Sequence, residues 1–194
     1  MRSLPPFLTA LAIALALPAC ASDGSTSRTE TAQASLPNVT VPSVDLQRYA
    51  GKWYEQASLP MRFTKQCVGD TTALYTPQPD GTIAVRNRCL TDDGSFNQVD
   101  GEARQAGETT AQLEVRFAPG WLSWLPAVWG DYWVIDLDKD YQWAMVGSPS
   151  QDYLWILSRK PQLDPDIRAS LVEKARRMGY PVSKLELTPQ SGKE

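Results

Sequence analysis

Between residues 42 and 159 apolar and polar positions alternate in short runs, near 51–58, 68–76, 82–90, 98–106, 110–118, 131–137, 141–147 and 152–159. Period two is the mark of a strand with one buried face. Turn residues separate several of the runs: "PDG" at 79–81, "DDG" at 92–94, "DKD" at 138–140 and "GSPS" at 147–150. Eight strands with such short links predict an all-β, up-and-down antiparallel sheet, and closure into a barrel removes its exposed edges. A barrel of eight strands is just wide enough to hold one small ligand. After residue 160 the period changes. Ile167, Leu171, Ala175 and Met178 make one stripe, with Arg168, Glu173, Lys174 and Arg177 facing elsewhere. Asp164 suits the cap of this C-terminal α-helix, Pro165 its first turn and Gly179 its end. The stripe needs an apolar surface, and the outside of the barrel supplies one. "VSKLELT" (182–188) predicts a short final strand, and residues 189–194 a tail.

Composition narrows the function more than the fold. The 194 residues carry 19 Lys+Arg against 22 Asp+Glu, with no basic run, so a nucleic-acid partner has no support. The chain has no histidine. That removes Ser-His and Cys-His nucleophiles, His general bases and nearly all catalytic zinc sites. Carboxylate-only chemistry survives; otherwise the expectation is a protein that is not an enzyme and holds no metal or cofactor.

Residues 1–19 do not belong to the fold. Arg2 precedes the apolar stretch "LTALAIALAL" (8–17), too short to span a bilayer, and "LPAC" follows it. A small residue before Cys20 resembles a bacterial lipoprotein signal, in which Cys20 becomes the lipidated first residue. The alternative is an ordinary secretory signal in which the cysteine falls by chance. Ala21, in place of an aspartate, points to the outer membrane. Several acyl chains, at ~0.8 kcal/mol per buried CH₂, anchor far more firmly than one. Residues 20–41 are rich in Ser, Thr, Ala and Gln, a composition that reads as a flexible tether with a reach of roughly 25 Å.

"VDLQRYAGKWYEQA" (44–57) resembles the first signature of the lipocalins, a short helical turn and then Gly-x-Trp entering strand one. "DYWVIDLDKDY" (131–141) and "DYLWILSRKP" (152–161) follow in the family's order and spacing. The resemblance covers 42–188 and is nearest to the bacterial outer-membrane lipocalins, which also carry a lipoprotein signal. It implies that Trp53 plugs the closed base of the barrel, that Gly51 lets the helical turn pack close, and that Arg159 lies across the indole. Parity and resemblance together place Ala57, Thr71, Ala73, Tyr75, Val85, Asn87, Val115, Tyr132, Val134, Tyr153 and Trp155 on a ligand. Val99, Gly101, Ala103, Leu113, Phe117 and Leu157 fall on the same inward face, and Ala144 and Val146 are preferred to Trp143 and Met145. Small residues there (Ala57, Ala73, Gly101, Ala103) are expected to leave volume for an acyl chain. By the same parity Glu55 and Asp136 point inward, and Glu55 must find donors among the cavity's Tyr and Asn side chains or stay protonated.

Counting outward from "PDG" brings Cys67 and Cys89 nearly opposite each other, so a disulfide is reasonable in an oxidising compartment. The sharper alternative is a reactive Cys67 thiol. The expected ligand is a fatty acid or lysophospholipid, with a part in envelope maintenance or stress implied by the resemblance alone. The rivals are a tetrapyrrole or isoprenoid ligand, and an isomerase- or epoxidase-like lipocalin enzyme using Glu55, Asp136 or Cys67. Finally, "FAPGWLSWLPAVWGDYW" (117–133) is longer than the family's usual link. Between Pro119 and Gly130 it carries Trp121, Leu122, Trp124, Leu125, Val128 and Trp129 and no charge. It reads as a membrane-contacting loop, with a lid over the cavity or a homodimer contact as the other readings.

Overall fold

The alternation resolves into strands in the computed structural model, which describes residues 34–193. The leader, Cys20 and the tether as far as residue 33 lie outside the described residues. Asp45 caps α1 (Leu46–Tyr49), its carboxylate accepting from the Gln47 and Arg48 N–H groups at 2.9 and 3.2 Å. The barrel strands follow: β1 (Gly51–Ser58), β2 (Cys67–Pro77), β3 (Ile83–Thr91), β4 (Phe96–Gln105), β5 (Gln112–Arg116), β6 (Gly130–Leu137), β7 (Trp143–Gly147) and β8 (Leu154–Ser158). Each pairs antiparallel with the next, and β1 pairs with both β8 and β2, so the sheet closes. Then come α2 (Pro165–Arg177) and β9 (Glu186–Leu187), which adds to the edge of β1. Asp164 caps α2 by accepting from the N–H groups of Asp166 and Ile167.

Alternation produces two cores, one on each face of the wall. Inside the barrel Trp53, Tyr75, Val85, Leu113, Tyr132, Val134, Val146 and Leu157 pack together. Outside, α2 lays Leu171, Ala175 and Met178 on Ile135, Met145, Leu154 and Ile156, as its stripe requires. Ala144 and Val146 face in, whereas Trp143 and Met145 face the helix side.

Register shifts break the parity in β1 and β6, and the β2–β3 pairing also slips between Cys67 and Gly69 and between Gly69 and Thr72. The β1–β8 register slips between Glu55 and Ala57, and the β6–β7 register slips between Val134 and Asp136. A bulge inserts one unpaired residue, so every later side chain changes face. Ala57 therefore belongs to the outer core under α2 and cannot line a ligand. Asp136 likewise faces α2, where Lys174 Nζ lies 2.8 Å from its carboxylate.

The tether also ends earlier than its composition implies. Residues 34–41 are docked: the Leu36 N–H donates to Arg177 O at 2.8 Å and the Val41 N–H to Val134 O at 2.9 Å. Asn38 Nδ2 donates to Ser148 O, and its Oδ1 accepts from the Tyr180 hydroxyl, both at 3.0 Å. Leu36 packs on the outer core and Val41 on the inner one, a few apolar anchors in an otherwise polar stretch.

Candidate functional site

The base is built around Trp53. Gly51, at φ +94°, turns the chain from α1 into β1 in a backbone conformation that side chains rarely adopt, and a Cβ there would touch the Arg159 guanidinium at 3.4 Å. The Trp53 indole N–H donates to Tyr49 O at 2.8 Å, and the Arg159 guanidinium lies 3.9 Å above the ring. Arg159 also donates to Lys52 O, Arg48 O and Tyr141 O. One side chain thus ties α1, β1 and the β6–β7 turn across the closed end.

Above Trp53 three buried tyrosines form a chain. Tyr132 Oη lies 2.9 Å from both Tyr49 Oη and Tyr75 Oη. Burial pushes the Tyr75 hydroxyl up to about 12 and raises the other two well above the usual range, so all three are neutral. From there the aromatics climb towards the mouth: Tyr132 stacks on Trp155 (6.4 Å between centroids), and Trp155 on Tyr153 (5.9 Å, 8° between planes). Tyr153 is half-exposed.

Ala73, Tyr75, Val85, Val115, Tyr132, Val134 and Trp155 all lie in or against the inner core, as the parity argument requires. Asn87 pairs with Ala73 on β2 and lies two residues along β3 from Val85, on the same face. Thr71 lies within β2 just beyond the last residue paired with β1, its carbonyl accepting from Gln190 at 3.0 Å. The small inward residues seat rings. Ala73 lies opposite Trp53, and a Cβ on Gly101 would fall 2.6 Å from the Phe117 ring and 2.5 Å from Arg116 O. At Gly101 the absence of a side chain accommodates the Phe117 ring beside it.

The sequence reading missed the seam. Beyond Tyr54 and Thr72 strands β1 and β2 no longer pair, and the C-terminal segment fills the gap. The Thr188 N–H donates to Gln56 O at 3.0 Å, and the Asp70 N–H to Pro189 O at 2.8 Å. Gln190 Nε2 bridges Glu55 O and Thr71 O at 2.7 and 3.0 Å. The buried Asp70 carboxylate accepts from the Ser191 N–H and hydroxyl and from the Gly192 N–H. Residues read as a tail thus form part of the wall. Glu55 takes its donors from here: Thr188 Oγ1 at 2.6 Å and Ser58 Oγ at 3.0 Å, in place of the expected Tyr and Asn. Burial raises the Glu55 carboxyl above its ordinary value, against these two bonds.

At the mouth Cys67 and Cys89 are joined, with Cα atoms 5.5 Å apart, which removes the reactive-thiol alternative. In the 117–130 loop Trp121 and Trp124 are 74 % and 73 % exposed, and Leu122 and Leu125 half-buried. Trp129 departs from the expected membrane-facing set. Its indole N–H donates to Ser123 O at 2.8 Å, and the Arg104 and Arg116 guanidiniums lie 4.0 and 5.1 Å from the ring centroid. It pins the loop to the outer wall of β4 and β5.

A closed antiparallel barrel with a Trp–Arg base, a helix on its flank and an aromatic climb away from that base defines the class of small up-and-down β-barrels. Residues 44–190 match the lipocalin-like domain family, and the chain belongs to the lipocalins. It is 46 % identical to temperature-induced lipocalin-1 of Arabidopsis thaliana over 78 % of this chain and 82 % of that one. It is 36 % identical to the outer membrane lipoprotein Blc of Escherichia coli over the same shares, and 33 % to mouse apolipoprotein D over 76 % and 77 %. Among solved structures, insecticyanin of Manduca sexta superposes with a TM-score of 0.61 at 20 % identity, over 82 % of this chain and 88 % of that one. That likeness is one of fold. Membership of this family supports the binding of a small lipophilic ligand.

Proposed function

We propose that this chain is a lipid-anchored carrier of fatty acids or lysophospholipids, held by acyl chains on Cys20 at the periplasmic side of a bacterial outer membrane. The observation that carries the reading is the aromatic climb from Tyr132 through Trp155 to the half-exposed Tyr153. It gives an apolar chain a continuous surface from the mouth to the tyrosine layer. "LPAC" at 17–20 and the likeness to a protein named outer membrane lipoprotein support the anchor. Exposed Trp121, Trp124 and Phe63 at the mouth support contact with a bilayer, since tryptophan favours the headgroup region. The role is binding and delivery, in keeping with a chain that has no histidine to serve as a general base.

Native mass spectrometry of the protein purified from its own membranes tests the ligand class. A co-purified mass matching a fatty acid or lysophospholipid is expected, and an apo mass or a pigment mass would defeat the reading. In titrations with palmitic acid, tryptophan emission is expected to quench saturably. Trp155→Ala is expected to weaken binding by about 1–3 kcal/mol through lost apolar burial.

A further inference from the structure

The inner core is apolar except along one wall, and the hydrogen bonds on that wall do not close. Three tyrosine hydroxyls carry three protons, but Tyr49, Tyr132 and Tyr75 make only two mutual bonds. Whichever way the chain runs, one O–H is left without an acceptor among the described residues. On the neighbouring strand the reverse holds. Asn87 Oδ1 is shut off from solvent and has no donor. The β2–β3 register sets Asn87 opposite Ala73 and Val85 opposite Tyr75, so Tyr75 and Asn87 are diagonal neighbours on the inward face. Diagonal pairs lie roughly 7–8 Å apart, a span that one hydroxyl oxygen between two long side chains can bridge.

With the chain running from Tyr49 through Tyr132 to Tyr75, the free O–H falls on Tyr75, and an unmet donor diagonal to an unmet acceptor defines the chemistry of the partner. A hydroxyl donates to Oδ1 and accepts from a tyrosine O–H with the same oxygen. A carboxylate or phosphate oxygen has no proton for Oδ1. A methylene leaves both groups unpaired, at the cost that makes buried polar groups bonded almost without exception. The cationic groups of the base do not reach upward to serve an anion: the Arg159 nitrogens are spent on three carbonyls below Trp53.

We infer that Asn87 and the Tyr75–Tyr132–Tyr49 chain form a hydroxyl-reading subsite, and that the preferred ligand is an acyl chain bearing a neutral hydroxyl along its length. The inference rests on the proposed fatty-acyl ligand and sharpens it. The acyl head stays at the mouth, where Arg62 and Lys65 flank Phe63 in the first loop. The apolar chain lies along Trp155, and its hydroxyl meets Asn87.

The test is competitive occupancy. The full lipidated chain, in detergent micelles, is offered stearic acid and mid-chain hydroxystearic acids at equal concentration, and native mass spectrometry reads the ratio of the bound species. A preference of about tenfold or more for a hydroxylated acid is expected, the worth of one satisfied buried pair. In Asn87→Leu the preference for a hydroxylated acid over stearic acid is expected to vanish. Tyr75→Phe, which removes the donor side but keeps the ring, is expected to reduce it. Equal occupancy by stearic and every hydroxystearic acid in the wild-type chain overturns the subsite without touching the carrier reading. A preference that survives Asn87→Leu in a variant of unchanged Tm also overturns it. Binding of neither acid defeats the carrier reading itself.

Discussion

At the base of the barrel Trp53 is wholly buried, its N–H is bonded, and a guanidinium with three further bonds covers its face. At the mouth Trp121 and Trp124, the same residue type in a stretch just as apolar, stand almost three-quarters exposed. The first tryptophan is fixed by what surrounds it; the other two have nothing on the described chain to cover them. Trp129 shows the intermediate case, since two arginines and one carbonyl hold it to the outer wall. Tryptophan therefore has opposite worth at the two ends. One end spends it on folding, and the other leaves it exposed.

Trp53→Ala is the strongest way to break that contrast. It empties the centre of the inner core, strands Arg159 over a void, and is expected to cost about 3–5 kcal/mol in chemical denaturation. A loss below 1 kcal/mol would mean that the base does not depend on this ring. The mouth has one covalent element of its own. The Cys67–Cys89 bond closes a loop of sequence separation 22, worth roughly 3 kcal/mol through the unfolded state. Cys67→Ala with Cys89→Ala is expected to lower stability by that order. Two titratable thiols in the unreduced wild-type chain, by contrast, would remove the bond altogether.

Much of this was legible in the alternation. Each barrel strand falls within two or three residues of its expected limits, and the preference for Ala144 and Val146 over Trp143 and Met145 is correct. The errors of facing share one physical cause. A bulge leaves no mark in a period-two pattern, because the inserted residue can be apolar or polar, and every later position is then read from the wrong face. Gln56 is such a residue: it is buried, and its amide bonds Lys160 O, Pro161 O and the Leu163 N–H outside the barrel. Ala57 and Asp136 were misplaced for this reason alone. The seam was illegible for another. "TPQSGK" at 188–193 has the composition of a tail, and only the splaying of β1 from β2 gives its amides and hydroxyls something to bond.

The seam gives a smaller effect, read by pH. Burial raises the folded-state pKa of Glu55 above its ordinary value of 4.5, so the folded chain holds that proton more tightly than the unfolded chain does. The contribution is complete below the ordinary value and is lost as the pH rises through the raised one. Stability is therefore expected to decline across that interval, with Glu55 as its source. Glu55→Gln keeps an oxygen for Thr188 and Ser58 and removes the ionisation. It is expected to flatten that part of the stability–pH curve and to exceed wild-type stability above it. A slope unchanged in the variant assigns the titration to another group.

The smallest effect on stability is expected where the tryptophans are most exposed, and there it carries the most about function. Changing Trp121 and Trp124 together to Ser removes two large rings that touch little of the fold, so Tm should move by no more than a surface substitution moves it. Trp129 is left in place, because removing it would free the loop from Arg104 and Arg116 and confuse the two roles. With a soluble chain beginning at Ala21, the double variant is expected to lose binding to liposomes and uptake of palmitic acid from vesicles, while its affinity for dispersed palmitic acid stays near wild type. If the dispersed-acid affinity collapses instead, the loop closes over the ligand and acts as a lid. If vesicle binding persists and the chain changes from dimer to monomer in sedimentation, the rings serve a second copy of the chain. Unchanged folding, unchanged affinity for free acid and lost transfer from a bilayer would together show that the mouth, unlike the base, uses its tryptophans to meet a membrane.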